Sequence, residues 1–295
     1  MSTQQPLVSL GVPVYNGEKY LAQALESLLA QSYPHLEIII SDNGSTDRTE
    51  AICREFLTRD RRIQYYRSPT NRGAAWNFNR TVELATGDYF KWAAADDVLA
   101  PIWVEKCVGE LEGRPEAVLC FTGVIDIDAN GQQIEVKYSQ INFNLPEAHV
   151  RFRGISRIRP THKCEEVFGL IRRNTLLKTK LIDNYTDSDR TLLADLGLHG
   201  LFYEIQEPLF YHRIHEENSV HNKKRQERTV WFDTSKIGKL TFPNWRQLCE
   251  LLIVITRSPL PWSERLRCYG HMLYWVKKRR KRLGRDLVWA VRQVI

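Results

Sequence analysis

Two adjacent carboxylates, Asp96-Asp97, close an apolar run, Tyr89-Phe90-Lys91-Trp92-Ala93. Neighbouring carboxylates at a strand end repel, which raises the pKa of one of them. A hard divalent cation removes that conflict, because it takes one or two carboxylates together with phosphate oxygens of a substrate. Such a cation also stabilises a departing phosphate. The plainer alternative is a solvated turn ahead of a helix begun at Pro101. A second polar cluster, Ser41-Asp42-Asn43-Gly44-Ser45-Thr46-Asp47, also follows an apolar run. Asp42 and Asn43 carry acceptors suited to a base or a ribose. Ser45 or Thr46 is placed to cap the next helix. Later, Asp187-Ser188-Asp189 precedes a Leu-rich stretch, and His212-Arg213-Ile214-His215 follows an apolar one. The acids either supply a base or cap a helix. A guanidinium at Arg213 suits phosphate oxygens. His215 is either a metal or phosphate ligand or a structural histidine. A zinc triad of His212, His215 and His221 is disfavoured, since no cysteine is near and an acidic pair lies elsewhere.

The elements that must position these groups alternate. Residues 8–14, 36–40, 63–67 and 88–93 read as strands, and 18–29, 49–57 and 76–85 as helices, from their apolar spacing. Alternation of this kind predicts an α/β fold with a doubly wound, mostly parallel sheet covered on both faces. Ligands then sit beyond the carboxyl ends of the strands, where Tyr15-Asn16-Gly17, Asp42-Asn43 and Asp96-Asp97 all fall. Residues 118–127 and 133–137 around Asn130-Gly131 predict a hairpin, 140–163 an irregular stretch, 164–172 a helix, 192–198 a continuation of the helical pattern and 201–211 one or two strands.

With 43% hydrophobic and 26% charged residues, the 295-residue chain has ample material for a core. No run of about 18 apolar residues occurs, and Met1 to Pro6 lacks the regions of a signal peptide, which predicts a cytoplasmic protein. Six scattered cysteines without a C-x-x-C predict buried or free thiols. The net charge of +7 is matched by residues 271–295 alone, which hold eight Lys/Arg and one acid. A chain-wide nucleic-acid surface is thereby disfavoured. This basic stretch, with Tyr274, Trp275 and Trp289, suits the face of an anionic membrane or a helix packed on the main domain.

The ordered set Pro13-Val14-Tyr15-Asn16-Gly17, Ser41 to Asp47, Asn71-Arg72-Gly73, Asn77, Gly87-Asp88-Tyr89 and Asp96-Asp97 before Pro101 resembles family 2 glycosyltransferases of the GT-A fold over about residues 7–105. The resemblance implies a Rossmann-like GT-A domain over 1–222, with a nucleotide-sugar half (about 1–105) and an acceptor half (about 106–222). A helical, basic C-terminal extension over 223–295 follows. It implies a nucleotide-sugar donor, foremost a UDP-sugar, a divalent cation (Mn²⁺ or Mg²⁺), inversion at the anomeric carbon, and a saccharide or lipid-linked acceptor. By family position, Pro13 and Tyr15 line the base pocket, Asp42 and Asn43 hold base or ribose, and Asp96 faces ribose or sugar. Asp97 binds the metal, with His215 as a further ligand. Asn16 and Asn77 belong to the same donor-binding set, and Arg213 meets the diphosphate. The segment from Asp187 to His215 resembles a later stretch of bacterial members, which makes Asp189 the general base, with Asp187 as the alternative. Three positions depart from the pattern: Asn43 in place of a second Asp, Ala94 in place of an Asp, and Trp76 in place of an Arg before Asn77. Rival classes are a nucleotidyltransferase, disfavoured by the lack of a Gly-rich loop with Lys near the first strand, and a GT-A-fold binding protein without activity. An oxidoreductase would need G-x-G-x-x-G after a strand, which is absent.

Overall fold

The computed structural model describes residues 5–139, 143–157, 164–216 and 225–294. The first part of the chain runs β1 (Val8–Val14), α1 (Leu21–Leu29), β2 (Leu36–Asp42), α2 (Thr49–Arg59), β3 (Ile63–Arg67), α3 (Ala74–Leu84) and β4 (Tyr89–Trp92). Then come β5 (Val98–Leu99), α4 (Trp103–Gly113), β6 (Ala117–Ile127), β7 (Gln133–Lys137), α5 (Ala148–Ser156) and β8 (Leu170–Arg172). The chain continues through α6 (Arg173–Leu176), α7 (Ser188–His199), β9 (Leu201–Arg213), α8 (Arg225–Phe232), α9 (Pro243–Arg257) and α10 (Trp262–Val294).

One sheet joins the strands in the order β3-β2-β1-β4-β8-β6-β9-β5, with β7 on the side of β6. Strands β1 to β4 pair in parallel, as do β6 and β9. This is the α/β, mostly parallel arrangement expected, with one exception at its centre. Short β8 runs antiparallel between β4 and β6 and welds the two parallel blocks together. The helix expected over 164–172 is instead a 3₁₀ turn, Glu165–Phe168, followed by β8. Here the sheet wins because Ile171 faces Phe90 on one neighbour and Leu119 on the other, so its backbone groups find partners only as a strand.

Strands β1, β2, β4 and β6 are buried along their whole length, as strands covered on both faces must be. Alternate side chains feed two cores. Ile38 and Ile40 join Val8, Leu10, Leu25 and Trp103 on one face, while Ile39 joins Phe90, Trp92, Phe152 and Leu193 on the other. Helix α3 lies so close over β1 that a Cβ on Gly11 would come within 2.6 Å of Thr81 Oγ1.

The expected hairpin is present as β6 and β7, and residues 201–213 form a single long strand whose register against β6 shifts three times. Residues 140–163 are not irregular throughout, since α5 occupies Ala148–Ser156; 140–142 and 158–163 lie outside the described residues. Helices α9 and α10 pack on the α/β part of the chain. Leu251, Val254, Ile255, Cys268, Met272, Trp275 and Leu283 share one core with α5 and α7. Removing a side chain as large as Trp275 from such a core costs about 3–5 kcal/mol.

Candidate active site

The carboxyl ends of β1 and β2 stand side by side, with Val14 opposite Asp42. Their loops are laced together. Asn16 N–H donates to Ser45 Oγ (3.0 Å), Thr46 N–H to Asn16 Oδ1 (2.9 Å), Gly17 N–H to Thr49 Oγ1 (2.8 Å) and Arg48 N–H to Glu18 Oε2 (3.0 Å). Asn16 sits at φ 53°, a left-handed conformation that asparagine tolerates. Ser45 and Thr46 therefore tie loops and do not cap α2. The capping acceptor is Asp47, which takes the Thr49 N–H at 3.0 Å.

The motif residues behind these loops are buried and occupied. Asp42 accepts from Ser45 N–H (2.8 Å) and Tyr65 Oη (2.8 Å), with Arg67 Nε at 3.3 Å. Asn43 donates to Asn71 Oδ1 (2.9 Å) and Gly73 O (3.1 Å) and accepts from Arg72 N–H (3.0 Å). Gly44, at φ 76°, makes the turn between them and the 70–71 backbone. Asn77 donates to Val14 O (3.1 Å) and accepts from Ser41 Oγ (2.6 Å). Pro13 is buried in β1, and Tyr15 is 46% exposed at its end. Trp76 lies between Arg72 and Arg80, 4.2 and 5.0 Å from its ring.

Strand β9 brings the second half to the acid pair. Val98 of β5 faces Tyr211 of β9, so the residues after Tyr211 meet those before Val98. Arg213 N–H donates to Asp97 Oδ1 (2.9 Å), and His215 Nε2 lies 2.9 Å from Asp96 Oδ2. Asp96 is partly exposed and Asp97 buried. Burial, then the charge of Asp96, push the Asp97 carboxyl up to about 7; His212, the Arg213 N–H and Lys91 pull the other way. The acid pair and the imidazole beside Asp96 offer oxygen and nitrogen donors of the kinds a divalent cation takes.

Arg213 is not turned towards solvent or a ligand. Its buried guanidinium donates to Asp96 O (2.9 Å), Asp128 O (3.1 Å), Ala129 O (3.4 Å) and Gln23 Oε1 (2.6 Å), and it lies 4.6 Å from the Tyr20 ring. It clamps the acid loop to α1 and to the β6–β7 turn. The diphosphate contact expected of it would require breaking that clamp.

At the start of α7, Asp187 adopts φ 69° and Asp189 occupies the first turn. Asp189 accepts from Arg190 N–H at 2.9 Å. Burial, then the charge of Asp187, raise its carboxyl to about 6. Asp187 lies 3.5 Å from Arg228 and 3.9 Å from Arg190. It makes no side-chain cap to the helix.

The model of the family described as Glycosyl transferase family 2 matches residues 9–185, more than half of the chain. The chain belongs to glycosyl transferase family 2. It is 38% identical over 256 residues to an uncharacterized glycosyltransferase of Haemophilus influenzae, covering 79% of this chain and 76% of that one. Against an uncharacterized glycosyltransferase of Rickettsia typhi the identity is 34% over 242 residues, 78% and 72% of the two chains. The match to another Haemophilus influenzae glycosyltransferase is 42% identical but spans only 40% of that relative's length. Among solved structures, S. aureus TarS with UDP-GlcNAc superposes with a TM-score of 0.67 at 15% identity over 98% of this chain and 82% of that one. The mannosyltransferase PcManGT from Pyrobaculum calidifontis, in complex with GDP-Man and Mn²⁺, gives 0.55 at 14% identity over 99% and 87%. These likenesses show the GT-A fold.

Two features of this family 2 site were not legible in the sequence. Lys91 is buried in β4, with its ammonium on Phe168 O and 4.3 Å from the Trp103 ring, and burial lowers its pKa to about 7. Asp126, Glu165 and His212 also converge, their ligand atoms within 4.8 Å of one another. His212 Nδ1 is 3.1 Å from Asp126 Oδ1, and Lys137 already pairs with Asp126. The β6–β9 register sets Asp126 opposite His212, and the 3₁₀ turn ahead of β8 brings in Glu165, residues far apart in the chain. His221 lies outside the described residues.

Proposed function

We propose that this family 2 chain moves a sugar from a nucleotide-diphosphate donor, foremost a UDP-sugar, to an acceptor hydroxyl with inversion, in the building of a surface or extracellular polysaccharide. The observation that carries this is the junction of Asp96, Asp97 and His215 at the carboxyl end of β4. Support for the donor class comes from TarS in complex with UDP-GlcNAc and the mannosyltransferase in complex with GDP-Man. A chondroitin synthase of Escherichia coli, 35% identical over 134 residues, supports the polysaccharide reading.

In this proposal Asp97 and His215 hold a divalent cation, and Asp96 faces the ribose or sugar. When bound, the cation supplies positive charge to the leaving nucleotide diphosphate. Pro13 and exposed Tyr15 form the base pocket. Asn16, Asp42, Asn43 and Asn77 fix its wall through the bonds already described. Arg213 is a positioning residue that holds the acid loop. Asp189 takes the acceptor hydroxyl proton as that oxygen attacks the anomeric carbon. A carboxyl near 6 is ionised at neutral pH yet more basic than an ordinary aspartate. The displacement is a single step, so no nucleophilic side chain is required.

The proposal also sets the protein against an anionic membrane. Among the described residues no helix is long and apolar enough to cross one. The outward face of α10 carries Trp262, Leu266 and Leu273, each more than 60% exposed, followed by Lys277, Lys278, Arg280 and Lys281. Apolar and basic groups on one helix face suit the headgroup boundary.

The direct test is thermal unfolding with UDP-, GDP-, dTDP- and CMP-sugars, each with Mn²⁺, Mg²⁺ or EDTA. A donor at about 100 times its Kd adds roughly 2.7 kcal/mol. A metal-dependent shift with one nucleotide class is expected. No shift with any donor at millimolar concentration would remove the donor-site reading.

A further inference from the structure

A cleft of about 300 Å³ opens between the start of α7 and the layer formed by α8, α9 and α10. Its charged and amide lining is Asp187, Arg228, Gln247, Arg282, Arg285 and Asp286. It therefore begins two residues from Asp189 and is walled by the C-terminal helices.

The charge in this cleft is not balanced. Asp187 faces both Arg228 and Arg190. Asp286 holds the start of α9, accepting from Asn244 N–H (2.8 Å) and Asn244 Nδ2 (2.7 Å). Behind the lining, Arg279 donates to Gln247 Oε1 at 3.0 Å, and Gln247 Nε2 reaches Asp187 O at 3.5 Å. Burial, then the charges of Arg282 and Arg190, lower the Arg279 pKa to about 10, against the pull of Asp187. Three guanidinium groups, Arg228, Arg282 and Arg285, thus line the recess beside two carboxylates, Asp187 and Asp286, with Arg190 and Arg279 close behind. Arg282 and Arg285 stand one turn apart on α10 and line the open side. Guanidinium groups are planar forks that match the oxygens of phosphate and carboxylate.

We infer that this cleft is an acceptor subsite for an anionic group, a phosphate or a carboxylate, gripped by Arg282 and Arg285 with Arg228 at its edge. The inference rests on the reading of Asp189 as the base, two residues from Asp187 in the cleft wall. The substrate class follows: the acceptor is an acidic saccharide, carrying either a sugar phosphate or diphosphate or a uronic acid. It also gives the C-terminal helices a task that packing alone does not require. A chain ending before α9 would keep the donor loops and lose this wall.

Calorimetric titration of the full chain in EDTA tests it with two probes, inorganic pyrophosphate and glucuronate. EDTA removes the cation on which donor binding is proposed to depend. Saturable binding of at least one probe is expected in the wild type and in Asp97→Asn. In Arg282→Gln/Arg285→Gln it should weaken about tenfold or more, the scale of a lost charge-assisted contact. Arg282→Lys/Arg285→Lys should recover part of it. Preference for pyrophosphate assigns a phosphorylated acceptor, and preference for glucuronate a uronic acid. Equal affinity in the glutamine variant and the wild type, or no saturable binding of either probe at about 10 mM, a weak-binding limit, overturns the inference. UDP with Mn²⁺ titrated into the wild type in EDTA-free buffer separates the two readings. Absence of UDP binding in the wild type, with probe binding intact, removes the donor site and leaves the anion cleft standing.

Discussion

The polar residues of the β1 and β2 loops and the acids of the β4 and α7 loops are both rich in motif character, yet they are built on opposite terms. Asp42, Asn43 and Asn77 are buried and hydrogen-bonded to protein partners in several directions. Asp97 is also buried and Asp189 partly so, but each stands beside a second carboxylate that raises its pKa. The first group lowers the energy of the fold. In the second, burial and a neighbouring like charge work against the ionised form, which is the arrangement the proposed roles of these groups would use. A motif residue is therefore not by itself a contact residue; its hydrogen-bond partners decide.

The contrast breaks if the two kinds of residue respond alike to substitution. Asp97→Asn should lower glycosyl transfer about 10³-fold, several kcal/mol of lost charge stabilisation at the leaving diphosphate. Its unfolding midpoint should stay within about 1 kcal/mol of wild type or rise, because a destabilised buried charge is removed. Asn77→Ala should do the reverse. It leaves the Ser41 hydroxyl without its acceptor and removes one of the two N–H donors to Val14 O. It should cost about 1–3 kcal/mol of stability, with donor-dependent activity retained below the lowered midpoint. Denaturant unfolding and transfer rates on both variants give the answer. A stable, inactive Asn77→Ala would show that this framework residue touches the donor.

The next effect is a pH dependence. As the proposed base, Asp189 would act only when ionised, so kcat/KM should fall on the acid side with an apparent pKa of about 6. The charge of Asp187 raises that carboxyl. Asp187→Asn should therefore move the limb to lower pH, and Asp189→Asn should lower the rate by about 10²–10⁴-fold. A limb that stays in place in Asp187→Asn would assign it to another group.

The first, strand–helix alternating part of the fold was readable because each motif follows a strand whose apolar run is uninterrupted, so order and spacing carry the geometry. Three things were not readable. Leu170–Arg172 has helix-like surroundings and becomes a strand only because β4 and β6 leave a gap of one strand between them. Arg213 looks like a phosphate ligand from its type and place. Its burial depends on the β6–β7 turn, whose Asp128 and Ala129 carbonyls no local pattern connects to it. The basic tail reads as a solvated or membrane face, yet α10 presents two faces. One is buried against α5 through Met272 and Trp275, and the other is exposed at Leu266 and Leu273. The heptad-like spacing of its buried residues carries that information, but the run of cations across both faces obscures it.

The smallest effect tests the seam between α5 and α10, where neither motif nor ligand is involved. His271 is buried, with Nε2 2.9 Å from Ser156 Oγ, and the Trp275 indole N–H donates to Ser156 O at 3.2 Å beside it. Burial, then Arg157 and Arg153, lower its pKa from 6.5 to about 4. A histidine whose folded pKa is depressed binds fewer protons than the unfolded chain between those two values. Its contribution to stability is complete above about pH 6.5 and is lost as the pH falls towards 4. The loss attributable to this residue should reach about 2 kcal/mol near pH 5. His271→Gln keeps a polar group at the seam and removes the proton. Its unfolding free energy should therefore decline less steeply than that of the wild type over this range, while transfer at neutral pH is unchanged. Parallel slopes in the two proteins would mean that the seam opens before His271 is protonated. The C-terminal helices would then be held to the catalytic half less firmly than their shared core implies.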